Sequence, residues 1–232
     1  MKKAGKGQEV PILYEDEAVI VLDKPAGLLA VPIKGSGVPS ALSLVIAELK
    51  RTRERAFVVH RIDRFTSGIL LFAKTPGDRD VLIRQFLAHS PVRQYLAVVR
   101  GHVAVKEGKL VHYFRKAGMF QKLTAAKHRD AARAELSYSI EQALRGASLV
   151  RVTLMTGLQN QIRAQFAAIG HPVVGDRKYS PQEASEQRID RVALHANHLE
   201  FVHPRSREKV IIDSEPPADF QALVKALAFP HR

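Results

Sequence analysis

The sequence predicts an α+β fold with a mixed, largely antiparallel sheet and flanking helices. Segments in which apolar and polar residues alternate outnumber segments with helical spacing. The helical segments are interspersed without the strict strand–helix alternation of a doubly wound sheet. A turn at Arg145-Gly146 joins two alternating segments as a hairpin. These three observations favour antiparallel pairing.

The first half of the chain contains strands and two capped helices. Ser40 is placed to cap a helix that runs to about Lys50, and Thr75 begins a second helix that ends before Pro91. The alternating segments around them predict strands, in order, at residues 12–14, 18–22, 58–59, 69–73 and 92–100.

The second half repeats this mixture after an irregular region. Residues 102–129 are polar, basic and poorly periodic, which indicates loops or a small insertion that faces RNA. Gly170 is well placed to end a helix as its C′ residue. The remaining predicted elements are strands at 134–140, 150–154, 192–201 and 210–212 and helices at 159–169 and 219–228.

The charge balance predicts a polyanionic partner. The 232 residues carry 36 Lys and Arg against 23 Asp and Glu, a formal net charge of +13. A basic surface of this size attracts nucleic acid and releases its counterions. A membrane surface is a weaker candidate, because no long basic amphipathic helix appears. The alternative is a basic surface that only aids solubility.

Composition also limits the setting and the chemistry. The chain has no cysteine, which excludes disulfides, a thiol nucleophile and a zinc–thiolate site and favours a cytoplasmic location. No segment has the length of a membrane span, and no signal peptide precedes the first strand. We expect a basic, flexible tail at residues 1–9, one catalytic domain at residues 10–232, and a monomer.

The segment HRIDRFTSG at residues 60–68 is the first candidate for chemistry. Asp63 lies between Arg61 and Arg64, in a loop between two strand-like segments. Two neighbouring guanidinium groups would keep a carboxylate ionised, which suits a nucleophile or an electrostatic stabiliser. The other interpretation is a structural Arg-Asp-Arg cluster, and the local sequence does not separate the two.

The segment TGLQNQIR at residues 156–163 is the second candidate. A strand ends before it and a helix begins within it, so backbone N–H groups are available to an anion. Considered alone, Arg163 reads as a surface cation. No metal or organic cofactor is predicted, because the three histidines at 195, 198 and 203 lie close in sequence but no carboxylate or cysteine completes a tetrahedral set with them.

Residues 60–68 resemble the HRLDRxTSG signature of RNA pseudouridine synthases of the ribosomal large-subunit type, the RluA-type branch. Further similar segments occur in the family's order from about residue 10 to residue 220. They include DKPAG at 23–27, QYLA at 94–97, QIR at 161–163 and GHP with GD between 170 and 176. The resemblance implies the pseudouridine synthase fold, with a basic catalytic cleft and no cofactor.

The resemblance also implies roles for individual residues. Asp63 corresponds to the catalytic aspartate, Tyr95 to the tyrosine that stacks on the target base, and Arg163 to the arginine that pairs with the aspartate. The implied substrate and RNA contacts are Arg64, which would hold the flipped nucleotide out of its stem, with His60, Asn160, and Leu96 and Ile162 as walls of the uracil pocket. Arg61 is left as a structural residue.

One departure from the family pattern affects the second segment. Leu158 and Asn160 stand where the family usually has arginine and histidine. Because Asp63, Tyr95 and Arg163 remain, we expect an active enzyme that converts a uridine to pseudouridine in an rRNA or tRNA stem-loop by flipping the base. The alternative is a catalytically weakened member that acts as an RNA-binding or ribosome-assembly factor.

Overall fold

The fold is α+β, which confirms the predicted class. The computed structural model describes residues 10–50, 54–118, 120–180 and 189–229. In these ranges it has a large, mostly antiparallel sheet and four helices. No helix there is long and apolar enough to cross a membrane. The predicted tail at residues 1–9 lies outside the described residues.

The elements follow one another in mixed order. In chain order they are β1 (Ile12–Glu15), β2 (Val19–Lys24), α1 (Ala41–Leu49), β3 (Phe57–Val58), β4 (Ser67–Ala73), α2 (Pro76–Leu87), β5 (Val92–Arg100), β6 (Glu107–Ala117), β7 (Phe120–Leu123), β8 (Ala132–Leu144), β9 (Ala147–Leu154), α3 (Gln161–Ala168), β10 (Leu194–Val202), β11 (Lys209–Asp213) and α4 (Ala218–Leu227).

The chain divides into two compact units. The first unit comprises residues 1–93 and 196–215, and the second comprises residues 94–195 and 216–232. This division reflects contacts inside each unit. The single catalytic domain expected for residues 10–232 therefore stays a prediction.

In the first unit, β4 is the central strand and is buried along its whole length. The strand order is β1-β2-β4-β10, with β3 beside β4 and β11 beside β10. Leu71 packs in one apolar cluster with Leu82 of α2, whereas Leu70 and Phe72 pack in another with Val45 of α1. Because both faces of the strand are covered, its sequence is a continuous apolar run rather than an alternating one.

Both helices of the first unit begin where the sequence predicts. The Ser40 hydroxyl accepts a hydrogen bond from Ser43 N at 3.1 Å, and the Thr75 hydroxyl accepts one from Asp78 N at 3.1 Å. Pro76 occupies the first helical turn of α2, where a missing N–H is tolerated. The two predicted N-caps are confirmed.

In the second unit, an antiparallel series of strands is covered by α3 and α4. The order is β5-β9-β8-β6-β7, and the predicted turn at Arg145-Gly146 joins β8 to β9. Ile162 and Phe166 of α3 and Phe220 of α4 belong to one buried cluster with Val152 of β9. The predicted hairpin is confirmed.

The prediction of loops or an insertion at residues 102–129 is wrong. The 11-residue strand β6 and the short strand β7 form a hairpin there, and β6 pairs with β8 from Glu107 to Phe114. Leu110 lies against the core and Phe114 is fully buried, but Val111 and Tyr113 place further apolar side chains on the opposite face. Apolar residues on both faces hide the period-two pattern.

Gly68, at the start of β4, is required by a close backbone approach. Its φ is +108°, and a Cβ built there would lie 2.1 Å from the carbonyl oxygen of Ala196. Only glycine avoids both the strained backbone and the collision. The glycine at the end of the HRIDRFTSG segment therefore has a structural reason.

We expect Gly68→Ala to lower the free energy of unfolding by about 3 kcal/mol or more, because strain and overlap add. Gly146→Ala is the matched control: its φ is +65° and its Cβ would meet nothing within 4 Å. It should lose only about 1 kcal/mol. Urea unfolding of both variants measures the difference, and equal losses would contradict the explanation.

Candidate functional site

The loop that carries Asp63 connects β3 to β4 and is anchored on both sides of the carboxylate. Ile62 before it is 5% exposed and Thr66 after it is 2% exposed, whereas Asp63 itself is partly exposed. Thr66 N donates a hydrogen bond to Asp63 O at 3.1 Å, which closes a turn around residues 63–66. An accessible carboxylate on a fixed loop suits a reactive group.

A buried lysine holds this loop against the turn that follows β2. Lys24 is 0% exposed, and its Nζ donates to the carbonyl oxygens of Pro25, Leu28 and Arg64 at 2.8, 3.0 and 3.1 Å. Gly27 N donates to the same Arg64 oxygen at 2.8 Å. The turn at residues 23–27 therefore holds the main chain of Arg64, the residue after Asp63, in place.

The two arginines near Asp63, Arg61 and Arg64, have exposed side chains. Arg64 donates from Nε to Gly27 O at 2.8 Å, and its guanidinium carbon lies 5.4 Å from the centre of the Phe65 ring. The Phe65 side chain is 48% exposed, and its contact with Arg64 was not expected from the sequence. Arg61 is exposed and makes no hydrogen bond or ion pair in the described part of the chain. Its expected structural role has no support in its contacts.

His60 is bound inside the first unit. Its Nε2 accepts a hydrogen bond from Leu71 N at 3.1 Å, and its ring stacks on Phe86 at a centroid distance of 4.7 Å. Burial, with a smaller effect from the positive charge of Arg93, lowers the pKa of His60 to about 3. The imidazole is therefore neutral near pH 7, and its observed contacts connect the start of the loop to β4 and α2. Its expected contact with RNA stays a prediction.

Tyr95 and Leu96 are consecutive residues of β5 and so point to opposite faces of the strand. Tyr95 is paired with Val152, and Leu96 is paired with Arg151, whose side chain binds Glu141. Both are partly buried against the core of the second unit. The expected role of Leu96 as a wall of the uracil pocket stays a prediction.

Arg163 is a buried residue of α3, not a surface cation. Its side chain is 10% exposed and forms a two-pronged ion pair with Asp176: Nε to Oδ2 at 2.7 Å and Nη2 to Oδ1 at 2.8 Å. Nη1 donates to Asn160 Oδ1 at 2.7 Å. The guanidinium carbon also lies 5.5 Å from the centre of the Tyr179 ring. Asp176 was quoted in the resemblance, but nothing in the sequence indicated that it pairs with Arg163.

The helix that carries Arg163 is held in the core by two buried amides. Gln161 Oε1 accepts from Thr156 Oγ1 and Leu158 N at 2.8 and 2.9 Å, and its Nε2 donates to Gln165 Oε1 at 2.9 Å. Gln165 Nε2 in turn donates a hydrogen bond to the carbonyl oxygen of Leu110 in β6 at 2.9 Å. Because buried polar groups need partners, this chain of bonds fixes the rotation of α3.

The structure therefore groups the predicted residues by unit. His60, Asp63 and Arg64 lie in the first unit, with Lys24 as a support that sequence reasoning missed. The second unit contains the other five: Tyr95, Leu96, Asn160, Ile162 and Arg163. It brings Asn160 and Arg163 into direct contact with each other. The pairing of Asp63 with Arg163 stays a prediction. Among the described residues, no three His, Asp or Glu side chains form a group that could hold a metal ion.

Comparisons with known proteins agree in one family. Residues 18–168 match the family model described as RNA pseudouridylate synthase. The chain is 33% identical to ribosomal large subunit pseudouridine synthase D of Zymomonas mobilis, over 97% of this chain and 75% of that protein. It is 31% identical to tRNA pseudouridine synthase C of Haemophilus ducreyi, over 93% of this chain and 94% of that protein.

A solved structure shows the same fold. Human RNA pseudouridylate synthase domain containing 1 superimposes with a TM-score of 0.75 at 23% identity, over 93% of this chain and 87% of that one. At this identity the likeness concerns the fold.

The low pKa of His60 should make the protein less stable at acidic pH. Folding lowers this pKa from the ordinary 6.5 to about 3. Between these two pH values a proton therefore binds His60 more readily in the unfolded chain than in the folded one. The stabilisation is complete above pH 6.5 and declines as the pH falls towards 3. At pH 5 the loss from this residue should be about 2 kcal/mol.

Urea unfolding at pH 7 and pH 5 tests this contribution. His60→Gln should lose less stability than the unsubstituted protein on going from pH 7 to pH 5, by about 2 kcal/mol. The control is His128→Gln, at an exposed histidine, which should show the full loss. An unchanged pH dependence in His60→Gln would exclude a buried neutral imidazole.

Proposed function

Because the chain belongs to the RNA pseudouridylate synthase family, we propose that it converts one specific uridine of a structured rRNA or tRNA to pseudouridine, with Asp63 as the nucleophile. Membership of this family makes the protein an RNA pseudouridine synthase that acts on RNA. The choice of substrate follows from the relatives, one of which is named for the large ribosomal subunit and another for tRNA.

The proposed reaction is an isomerisation and requires no redox partner. The bond between N1 of uracil and C1′ of the ribose breaks, the base rotates, and a bond forms between C5 and C1′. The proton on C5 is lost and N1 gains one, so atoms and electrons balance without a co-substrate. Asp63 attacks the uridine as the first bond breaks, the bond to Asp63 is broken again so that the carboxylate is regenerated with the product, and no cofactor is needed in this scheme.

The observation that carries the proposal is the anchored loop around Asp63. Nucleophilic catalysis needs an ionised carboxylate that is accessible and held in one place. Asp63 is partly exposed, and the residue after it is fixed through its carbonyl oxygen by Lys24 Nζ and Gly27 N. The exposed side chains of Arg61 and Arg64 add positive charge beside it.

Most of the other proposed contributions come from the second unit, and Arg64 of the first unit adds a contact with RNA. Tyr95 stacks on the extruded uracil and assists proton transfer, and Arg163 pairs with the Asp63 carboxylate. Ile162 is 4% exposed and supports the pocket from within α3, and Asn160 acts through Arg163. Arg64 contacts the RNA and helps to keep the target nucleotide out of its stem, because a base in a helix must leave the stack before it can react.

The proposed RNA-binding surface includes the β6–β7 hairpin. Residues 106–133 contain eight Lys or Arg and two Asp or Glu. Lys116 and Lys122 are exposed on the two strands of this hairpin. Lys178 lies 4.8 Å from the centre of the exposed Phe120 ring at its end, which places a cation and an aromatic face together. Such pairs suit contact with phosphates and bases.

The protein acts as a monomer in this proposal.

We expect Asp63→Asn to lower the rate of pseudouridine formation by more than about 1,000-fold, because an amide cannot act as the nucleophile. RNA affinity should stay within about threefold. The substrates are transcribed large-subunit rRNA and a set of tRNA transcripts, and mass spectrometry measures pseudouridine. Asp130→Asn, at an exposed carboxylate in the basic region, is the control with unchanged rate. Turnover by Asp63→Asn would exclude the nucleophile.

RNA affinity should fall steeply with salt. The logarithm of the binding constant should decline with the logarithm of salt concentration by about 0.7–0.9 for each phosphate contact. The double variant Lys116→Ala with Lys122→Ala should reduce that slope by about 1.4–1.8. Lys225→Ala, at an exposed lysine of α4, should leave it unchanged. Equal slopes for all three proteins would mean that the hairpin is not the binding surface.

A further inference from the structure

We propose that Asp176 and Asn160 are positioning residues that hold the Arg163 guanidinium in one orientation for the reaction. This inference rests on the proposed function and deepens it, because it says how Arg163 acts. In this view Arg163 is a hydrogen-bond donor of fixed direction whose charge is already balanced within its own unit. It is not a mobile cation drawn to the site by Asp63.

Asp176 is built to fix a guanidinium. Its side chain is 0% exposed, and both carboxylate oxygens bind Arg163. Oδ1 also accepts from the backbone N–H groups of Lys178 and Tyr179 at 2.9 and 3.1 Å. A carboxylate with this many fixed donors cannot rotate away, and the two parallel bonds set the plane of the guanidinium.

The Arg163–Asp176 pair changes the electrostatic role expected of Arg163. A buried pair of opposite charges has no net charge, so its field at a neighbouring group is that of a dipole and not of a full cation. The bonds to Asp176 and Asn160 hold three N–H groups of Arg163, and a planar guanidinium held at three points has one orientation. What the pair can offer a reacting group is a donor in a defined direction.

Asn160 accepts a third hydrogen bond from Arg163, and its side chain does not cap the N-terminus of its own helix. It lies at the N-cap of α3 with a left-handed backbone, φ 56° and ψ 24°, and makes no side-chain cap bond. Asparagine is among the few residues that adopt this conformation readily, and it is a preferred N-cap. Here its oxygen binds Arg163 Nη1 instead. The side-chain oxygen of the residue that departs from the family pattern is therefore a partner of Arg163.

A second ion pair in the same unit shows what a structural role looks like. Arg191 binds Asp219 with the same two-pronged geometry, Nε to Oδ2 at 2.6 Å and Nη2 to Oδ1 at 2.8 Å. Its Nη1 donates to the backbone carbonyl oxygens of Val192 and Leu194. The Arg191–Asp219 pair thus ties main chain to α4, and it provides a matched control.

The test measures the rate constant of pseudouridine formation at saturating RNA, in single turnover, separately from RNA affinity. Asn160→Gly removes the amide while glycine keeps the positive φ without strain. Asn160→Asp keeps both the acceptor oxygen and the tolerance of this backbone. Asp176→Asn leaves one acceptor where Arg163 needs two, and Asp219→Asn does the same at the control pair.

The expected result is a selective loss of rate. Asn160→Gly should lower the rate constant about tenfold and Asp176→Asn about 10- to 150-fold, the range for hydrogen bonds to charged groups. Asn160→Asp, which restores the acceptor oxygen, should react several-fold faster than Asn160→Gly, and the RNA affinity of all folded variants should stay within about threefold of that of the unsubstituted protein. Asp219→Asn should lose thermal stability with no change in rate constant.

The inference is overturned if Asn160→Gly reacts at the unsubstituted rate, or if Asp219→Asn loses as much rate as Asp176→Asn at equal folded fraction. If Asp176→Asn does not fold, the contrast between Asn160→Gly and Asn160→Asp decides alone. Failure of the proposed function has a different signature, because the unsubstituted protein would then form no pseudouridine or Asp63→Asn would remain active.

Discussion

The hydrogen bonds of the Lys24 ammonium group are the interaction on which the arrangement around Asp63 depends. A fully buried cation is strongly unfavourable unless it is surrounded by acceptors. Three backbone carbonyl oxygens, from Pro25, Leu28 and Arg64, meet this requirement. Two of them belong to the turn after β2 and the third to the loop of Asp63, so the charge can be buried only when the two segments are in place.

The second functional segment uses the same physical device with a different ion. Arg163 is buried with Asp176 as its partner, and removing one member of such a pair leaves an uncompensated charge in the interior. A buried ion pair adds little net stability, and here its two parallel hydrogen bonds set the plane of the guanidinium. In the first unit a buried cation holds the loop of Asp63, and in the second unit the buried cation is Arg163 itself, held by Asp176. The surrounding apolar clusters supply the stability.

Much of the fold could be predicted because it follows from local rules. Ser40 and Thr75 marked the starts of α1 and α2 through capping chemistry, and Arg145-Gly146 marked the β8–β9 turn. The β6–β7 hairpin was missed because Val111 and Tyr113 place apolar side chains on the exposed face of β6. Residues 107–114 form a strand because they pair with β8, and pairing with a strand that is distant in sequence leaves no local pattern from which it could be predicted.

The sequence by itself determined the family, the fold class and the candidate carboxylate, because short-range patterns and an ordered series of motifs carry that information. Tertiary structure alone decided the partners of these groups. Arg163 reads as a surface cation in a linear sequence and becomes a buried one because α3 is covered on all sides. Likewise Lys24 binds the carbonyl oxygen of Arg64, 40 residues away, and Asp176 binds Arg163, 13 residues away. The reason is physical: the free energy of a charge is set by its surroundings, and the surroundings exist only in the folded chain.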